Sequence, residues 1–100
     1  MYAYLKNTQV SHVSESNEEC VKMLKGDNSK VFSKIAKEHS LNLDEEEDLI
    51  AAYRIIKEDS LIPVSSYVVE LEDFDVDNED WEMETEEGDA ISYFEIMLLL

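Results

Sequence analysis

The sequence predicts an α+β fold: two or three short N-terminal and central helices packed on one side of an antiparallel sheet of three or more strands that ends in a C-terminal β-hairpin. Three observations point there. Apolar residues at helical spacing, opened by capping motifs, recur between Ser16 and Asp59. Beyond the only proline, Pro63, the apolar period changes from helical to alternating. A turn signal, Gly88-Asp89, then separates two runs with strand character. With 100 residues, 44% of them apolar, the chain is expected to form a single domain, 1–100, with its own core.

Residues 2–13, YAYLKNTQVSHV, mix aromatic, β-branched and polar side chains in rough alternation and predict one strand or a short hairpin. Ser16-Asn-Glu-Glu19 fits a capping box, with Cys20, Val21, Met23 and Leu24 on the apolar side of the helix behind it. Gly26-Asp27-Asn28 is expected to stop that helix. A second helix is predicted from about Asn28 to His39 on the stripe Val31, Phe32, Ile35 and Ala36. Asp44 through Glu47 suggests another capping box, leading into a third helix with Leu49, Ala52, Tyr53 and Ile56 inward and ending near Asp59-Ser60.

After Pro63, VSSYVVEL (64–71) predicts a strand. WEMETE (81–86) alternates without a miss, and AISYFEIMLLL (90–100) is apolar enough for a strand covered on both faces. With Gly88-Asp89 as a two-residue turn, Trp81 would oppose Ile96, Met83 would oppose Phe94, and Thr85 would oppose Ser92. Trp81, Met83, Phe94 and Ile96 then share a core face, and Glu82, Glu84, Glu86 and Glu95 the other. A turn at Glu87-Gly88 changes partners but keeps these faces. The apolar ending reads as a central strand or as the seam of a homodimer, so monomer and homodimer both stay open.

Charge is the outlier. The formal net is −17. Residues 1–40 carry six Lys and five acids, whereas residues 61–100 carry thirteen acids and no Lys or Arg. Self-repulsion on this scale opposes compaction, repels nucleic acid and anionic membranes, and attracts basic proteins. Cys20 is the only cysteine, so no internal disulfide can form, and a reducing compartment or no dependence on disulfides is expected. The start, MYAYLKNTQV, has no basic stretch followed by an apolar run, and no segment approaches the length that crosses a bilayer. A cytoplasmic protein without a membrane partner is the expectation.

Asp73, Asp75, Asp77 and Glu84 fall where a calcium loop of the EF-hand type places oxygen ligands. Against it, Asn78 stands where glycine is usual, Asp80 where an aliphatic residue is usual, and a strand pattern follows where a helix should. A catalytic set is missing from the pattern: His12, His39 and Cys20 are too few for zinc, Gly26 and Gly88 are isolated, and Cys20 sits on an apolar stripe. The expectation is no catalytic residue, no metal and no cofactor. What remains is a row of carboxylates on one face of a strand, Glu82, Glu84 and Glu86, and a second row, Asp73, Asp75 and Asp77, if that segment is extended. With Glu79 and Asp80 these eight are the candidate partner-binding residues, and the acids 44–48 offer a second patch. Trp81 is the best aromatic anchor by type, although the alternation puts it on the core face.

In composition and in strand-face charge the chain resembles the DNA-mimic anti-CRISPR and antirestriction proteins. The resemblance rests on no alignable motif, so no residue is carried over. It implies a small stoichiometric inhibitor from a phage or mobile element, acting in a bacterial host cell on a basic nucleic-acid-binding protein such as a CRISPR effector or a restriction enzyme. An immunity protein or antitoxin that neutralises a basic nuclease toxin would use the same physics. A calcium-dependent binding module is the third reading.

Overall fold

Strand β1 (Tyr2–Lys6) turns through Asn7-Thr8 into strand β2 (Gln9–Ser14), and the two pair antiparallel with Lys6 opposite Gln9. Both turn residues have positive φ, 53° and 67°, the conformation that matches the twist of a two-residue hairpin. A β-branched residue is disfavoured there, and the Thr8 N–H is held by the Ser65 carbonyl at 3.1 Å. The computed structural model describes residues 1–100, and the short-hairpin expectation is met.

Three helices follow. In α1 (Asn17–Asp27), Ser16 Oγ accepts from the Glu19 N–H at 3.3 Å, as the capping box predicts. The return arm runs through Ser14, whose Oγ donates to the Glu19 carboxylate and accepts the Ser16 N–H. Asn28 ends α1 and opens α2 (Ser29–His39), which closes on Ser40 in the left-handed region. Helix α3 (Glu46–Glu58) departs from expectation at its start. Its N-cap is Glu45, with no side-chain capping bond, because a turn at Asn42–Glu45 takes up the preceding residues. Asp48 reaches back to accept the Asn42 N–H at 2.8 Å.

Strand β3 (Tyr67–Glu70) pairs with β1, giving the order β2-β1-β3. The edge of β3 is partly closed: Val68 N–H donates to Tyr53 Oη on α3 at 2.9 Å. Strands β4 (Glu82–Glu84) and β5 (Ala90–Ser92) form a separate two-stranded sheet, and helix α4 (Tyr93–Met97) follows directly. The expected C-terminal hairpin is therefore present but short, and residues 93–97 are helix instead of strand. Its register also differs: Glu82 opposes Ser92 and Glu84 opposes Ala90. The connection is longer than two residues because Thr85 N–H donates to the Asp89 carbonyl and Thr85 Oγ1 accepts the Asp89 N–H, with Gly88 at φ 90° between them. Helix α4 has its own cap, since Ser92 Oγ accepts from the Glu95 N–H and donates to its carboxylate. Phe94, expected inward, is 62% exposed as a result.

The sheet is covered on both faces, not on one. Tyr4 joins Cys20, Val21, Leu24, Phe32, Ile35, Leu49, Ala52 and Ile56 in the helical layer. Ala3 and Leu5 face the other way, onto Tyr67, Leu71, Trp81, Ile91, Tyr93 and Ile96. Fully burying one large apolar side chain stabilises by about 1.5–3 kcal/mol. The four ion pairs all involve at least partly exposed groups, and such pairs contribute about 0–1 kcal/mol each. Apolar burial therefore holds the fold. No helix is long and apolar enough to cross a membrane.

Replacing fully buried Leu5 with alanine opens a cavity between the sheet and the C-terminal layer. The expected cost is about 2–5 kcal/mol in a urea titration, against less than about 0.5 kcal/mol for an exposed control. A second expectation concerns alkali. Burial first, then the bond to Asp27 or Asp89, raises the phenols of Tyr4 and Tyr67 above the usual 10.0, and burial does the same for Tyr53. Because the folded pKa lies above the unfolded one, this stability is complete below pH about 10 and is lost as pH rises beyond it. Circular dichroism and tyrosinate absorbance, followed from neutral pH upward, should show unfolding coincident with phenol ionisation.

Candidate functional site

The acidic surface is built on an apolar frame. On β4, Trp81 and Thr85 flank the strand inward, Met83 is half-buried, and Glu82 and Glu84 project outward. Alternate residues of a strand stand about 6.5–7 Å apart on one side. Glu86 continues the direction but belongs to the connecting loop. The expected row thus consists of two strand carboxylates and one loop carboxylate.

The second row does not form. Residues 72–80 are a succession of turns, and Asp73 has φ 56°, so Asp73, Asp75 and Asp77 are not on an extended segment. Local hydrogen bonding explains it: Asp75 Oδ1 accepts the Asp77 N–H at 2.9 Å and Asn78 Oδ1 accepts the Asp80 N–H at 3.2 Å. Short polar side chains satisfy the backbone here in place of a neighbouring strand. Asp73, Asp75, Asp77, Glu79 and Asp80 are all exposed on this loop.

The loop is fastened at several points. Leu71 N–H donates to the Met1 carbonyl at 2.8 Å. Trp81 Nε1–H donates to the Glu72 carbonyl at 2.9 Å, and Tyr93 Oη–H to the Val76 carbonyl at 2.6 Å. Phe74 packs edge-on to Trp81 and stacks on Tyr93, with centroids 5.0 and 5.9 Å apart. Trp81 is accordingly an internal strut and offers no aromatic anchor to a partner.

Not every acid is available outward. Glu87 lies 3.8 Å from Lys57, whose ammonium also sits over the Tyr67 ring. Asp89 accepts from Tyr67 Oη, which also shares a 2.8 Å hydrogen bond with Thr85. The eight candidate residues are different: none has a Lys, Arg or His within 4.0 Å. Two acids were missed by the sequence reading. Glu70 and Glu72 border a cleft between β3 and β4 that Glu84, Glu86 and Glu87 also line. The run Val69-Glu70-Leu71-Glu72 carried that signal in its alternation. The acids 44–48 lie at the start of α3, on the helical side of the sheet, and Asp48 is engaged with Asn42.

No three carboxylate, histidine or cysteine side chains converge as a metal-binding group. In the calcium-loop segment the turns direct Asp75 to its own backbone, and β4 follows where that motif requires a helix. Cys20 is fully buried, and burial, with Glu19 adding to it, pushes its thiol up to about 11. It stays protonated near neutrality and packs as an apolar residue. His12 Nε2 has no hydrogen bond and lies 3.9 Å from Glu19, while His39 is exposed at the end of α2. Neither histidine is assembled with Cys20 into a nucleophile–base–orienter chain of hydrogen bonds. Comparison with family models, with characterised proteins and with solved structures finds no match.

Unpaired like charge on a rigid frame has a thermodynamic signature. Added salt should raise the melting temperature by screening the repulsion among these carboxylates. The triple variant Glu82→Gln, Glu84→Gln and Glu86→Gln should melt higher at low ionic strength and respond less to salt, by a few tenths of a kcal/mol per charge removed, about the size of exposed charge interactions. Differential scanning calorimetry at two salt concentrations measures both.

Proposed function

We propose that this protein is a stoichiometric inhibitor of a basic nucleic-acid-binding protein, of the anti-CRISPR or antirestriction kind, working in the cytoplasm of a bacterial cell. One observation carries the proposal. Eight exposed carboxylates without a cationic neighbour lie on a strand, on the pinned loop before it and, for Glu86, on the hairpin connection after it. Solubility alone is served better by mixed charges. The spacing of Glu82 and Glu84, about 6.5–7 Å for alternate strand residues, is about twice the 3.4 Å rise of a nucleic-acid strand. Lys and Arg side chains arranged for phosphates can engage such a row. Long-range attraction speeds encounter, and charge-assisted hydrogen bonds hold the complex. A pinned loop loses less conformational freedom on binding than a free acidic tail would. An immunity protein against a basic nuclease toxin would use the same surface, and the identity of the partner separates the two.

The test begins with capture from a bacterial lysate at low salt, release at high salt, and assay of the released protein for nucleic-acid binding with and without this chain. Inhibition should saturate at one-to-one stoichiometry. The variant E82Q/E84Q/E86Q should bind about tenfold more weakly, or about 1.4 kcal/mol, with a shallower dependence on salt. Undiminished inhibition by that variant would sink the proposal.

A further inference from the structure

The outer side of β4, β5 and α4 carries more than charge. One groove is lined by Glu82, Glu84 and Glu95 beside Ala90 and Ile91. A second groove shares Ala90 and Glu95 with the first and continues to Val10, Leu98 and Leu99. The two meet at Ala90 and Glu95 and form one surface, with Glu82 and Glu84 toward one end and Val10, Leu98 and Leu99, beside Thr8 and Gln9, toward the other. Leu98 is 85% exposed and Leu99 43%. No Lys or Arg occurs anywhere in residues 61–100.

We propose that this surface takes a segment of a basic protein in which Lys or Arg side chains stand next to an apolar one. The inference rests on the inhibitor reading and adds to it the apolar half of the interface. Glu82, Glu84 and Glu95 receive the cations, and Val10, Leu98 and Leu99 receive the apolar side chain. Charge complementarity selects this occupant. A second copy of the chain carries the same net charge of −17 and is repelled at long range. A nucleic acid would be repelled and offers no aliphatic group of that kind. The two ends divide the work: the carboxylates speed association, and the apolar seat slows release.

The experiment uses the full chain and two short synthetic peptides of equal positive charge. One contains Lys, Arg and Ser, and in the other two Ser are replaced by Leu. Calorimetric titration at low salt should show the leucine peptide binding about tenfold more tightly. The double variant Leu98→Ser and Leu99→Ser should erase that difference while leaving the serine peptide's affinity unchanged. The single variant Leu98→Ser, at the most exposed position, should halve or better the advantage even if the double variant disturbs α4, and thermal melting checks the fold of each. Equal binding of the two peptides overturns the apolar half and leaves the charge reading standing. Absence of binding by either peptide overturns both. A leucine advantage that survives in L98S/L99S also overturns this proposal. So does a dimer of the protein alone, detected by sedimentation and lost in L98S/L99S, because the seat would then belong to a second copy.

Discussion

The structure depends on burying both faces of one short strand. In β1, Ala3, Tyr4 and Leu5 are successive and all almost wholly removed from solvent. Successive strand residues point to opposite sides, so Tyr4 enters the helical layer while Ala3 and Leu5 enter the other. Both edges of β1 are paired as well, with β2 and with β3. These three residues join the two apolar clusters, and β3 does the same beside them, with Val68 against the helical cluster and Tyr67 and Val69 in the other. The helical layer comes from the part of the chain that holds all eight Lys and Arg beside twelve acids, and the second layer carries thirteen acids of residues 61–100 with no such cation. A layer with that much repulsion needs an apolar inner side, and it has one in Trp81, Ile91, Tyr93 and Ile96.

That arrangement gives the acidic surface its character. The turns of residues 72–80 would be a mobile acidic loop if they stood alone. They are held because two aromatic side chains of the second layer donate to their carbonyls: Trp81 to Glu72, and Tyr93 to Val76. The same residues fill the core. Exposed carboxylates and buried rings alternate along the chain, so the geometry of the charge is set from beneath. Of the four ion pairs, only Lys57–Glu87 draws on an acid of residues 61–100, and the same ammonium sits over the Tyr67 ring. The charges between Asp73 and Glu86 remain uncompensated.

Much of the fold was legible in the residues. The helices were readable because amphipathic spacing and local capping coincide, as at Ser16 and Glu19. The inward side of Trp81 and the outward side of Glu82 and Glu84 followed from strict alternation. The errors have physical causes. The apolar content of AISYFEIMLLL favours a strand, while Ser92-Tyr-Phe-Glu95 is a capping box that starts a helix. That motif was as visible as the one at Ser16, and it moved Phe94 to the surface. The two-residue turn failed because Thr85 and Asp89 close a longer loop through side-chain bonds. The row at Asp73, Asp75 and Asp77 failed because Asp and Asn prefer to bond their own backbone when no neighbouring strand competes. The covering of both faces also has a signal, since YAYLK alternates aromatic and aliphatic residues without a truly polar face until Lys6.

The pairing of β1 with β3 also imposes an order on assembly. Tyr2 is matched with Glu70, and the helical cluster closes with Ile62. The hairpin and helices can therefore gather around Tyr4 while the opposite side of β1, Ala3 and Leu5, still waits for residues beyond Tyr67. Contacts so distant along the chain form slowly. The less charged portion can collapse first, and the strongly anionic portion then condenses onto an existing apolar template instead of having to compact against its own field. A chain so heavily charged over its last forty residues gains a workable route to the native state from where that charge falls in the order of synthesis.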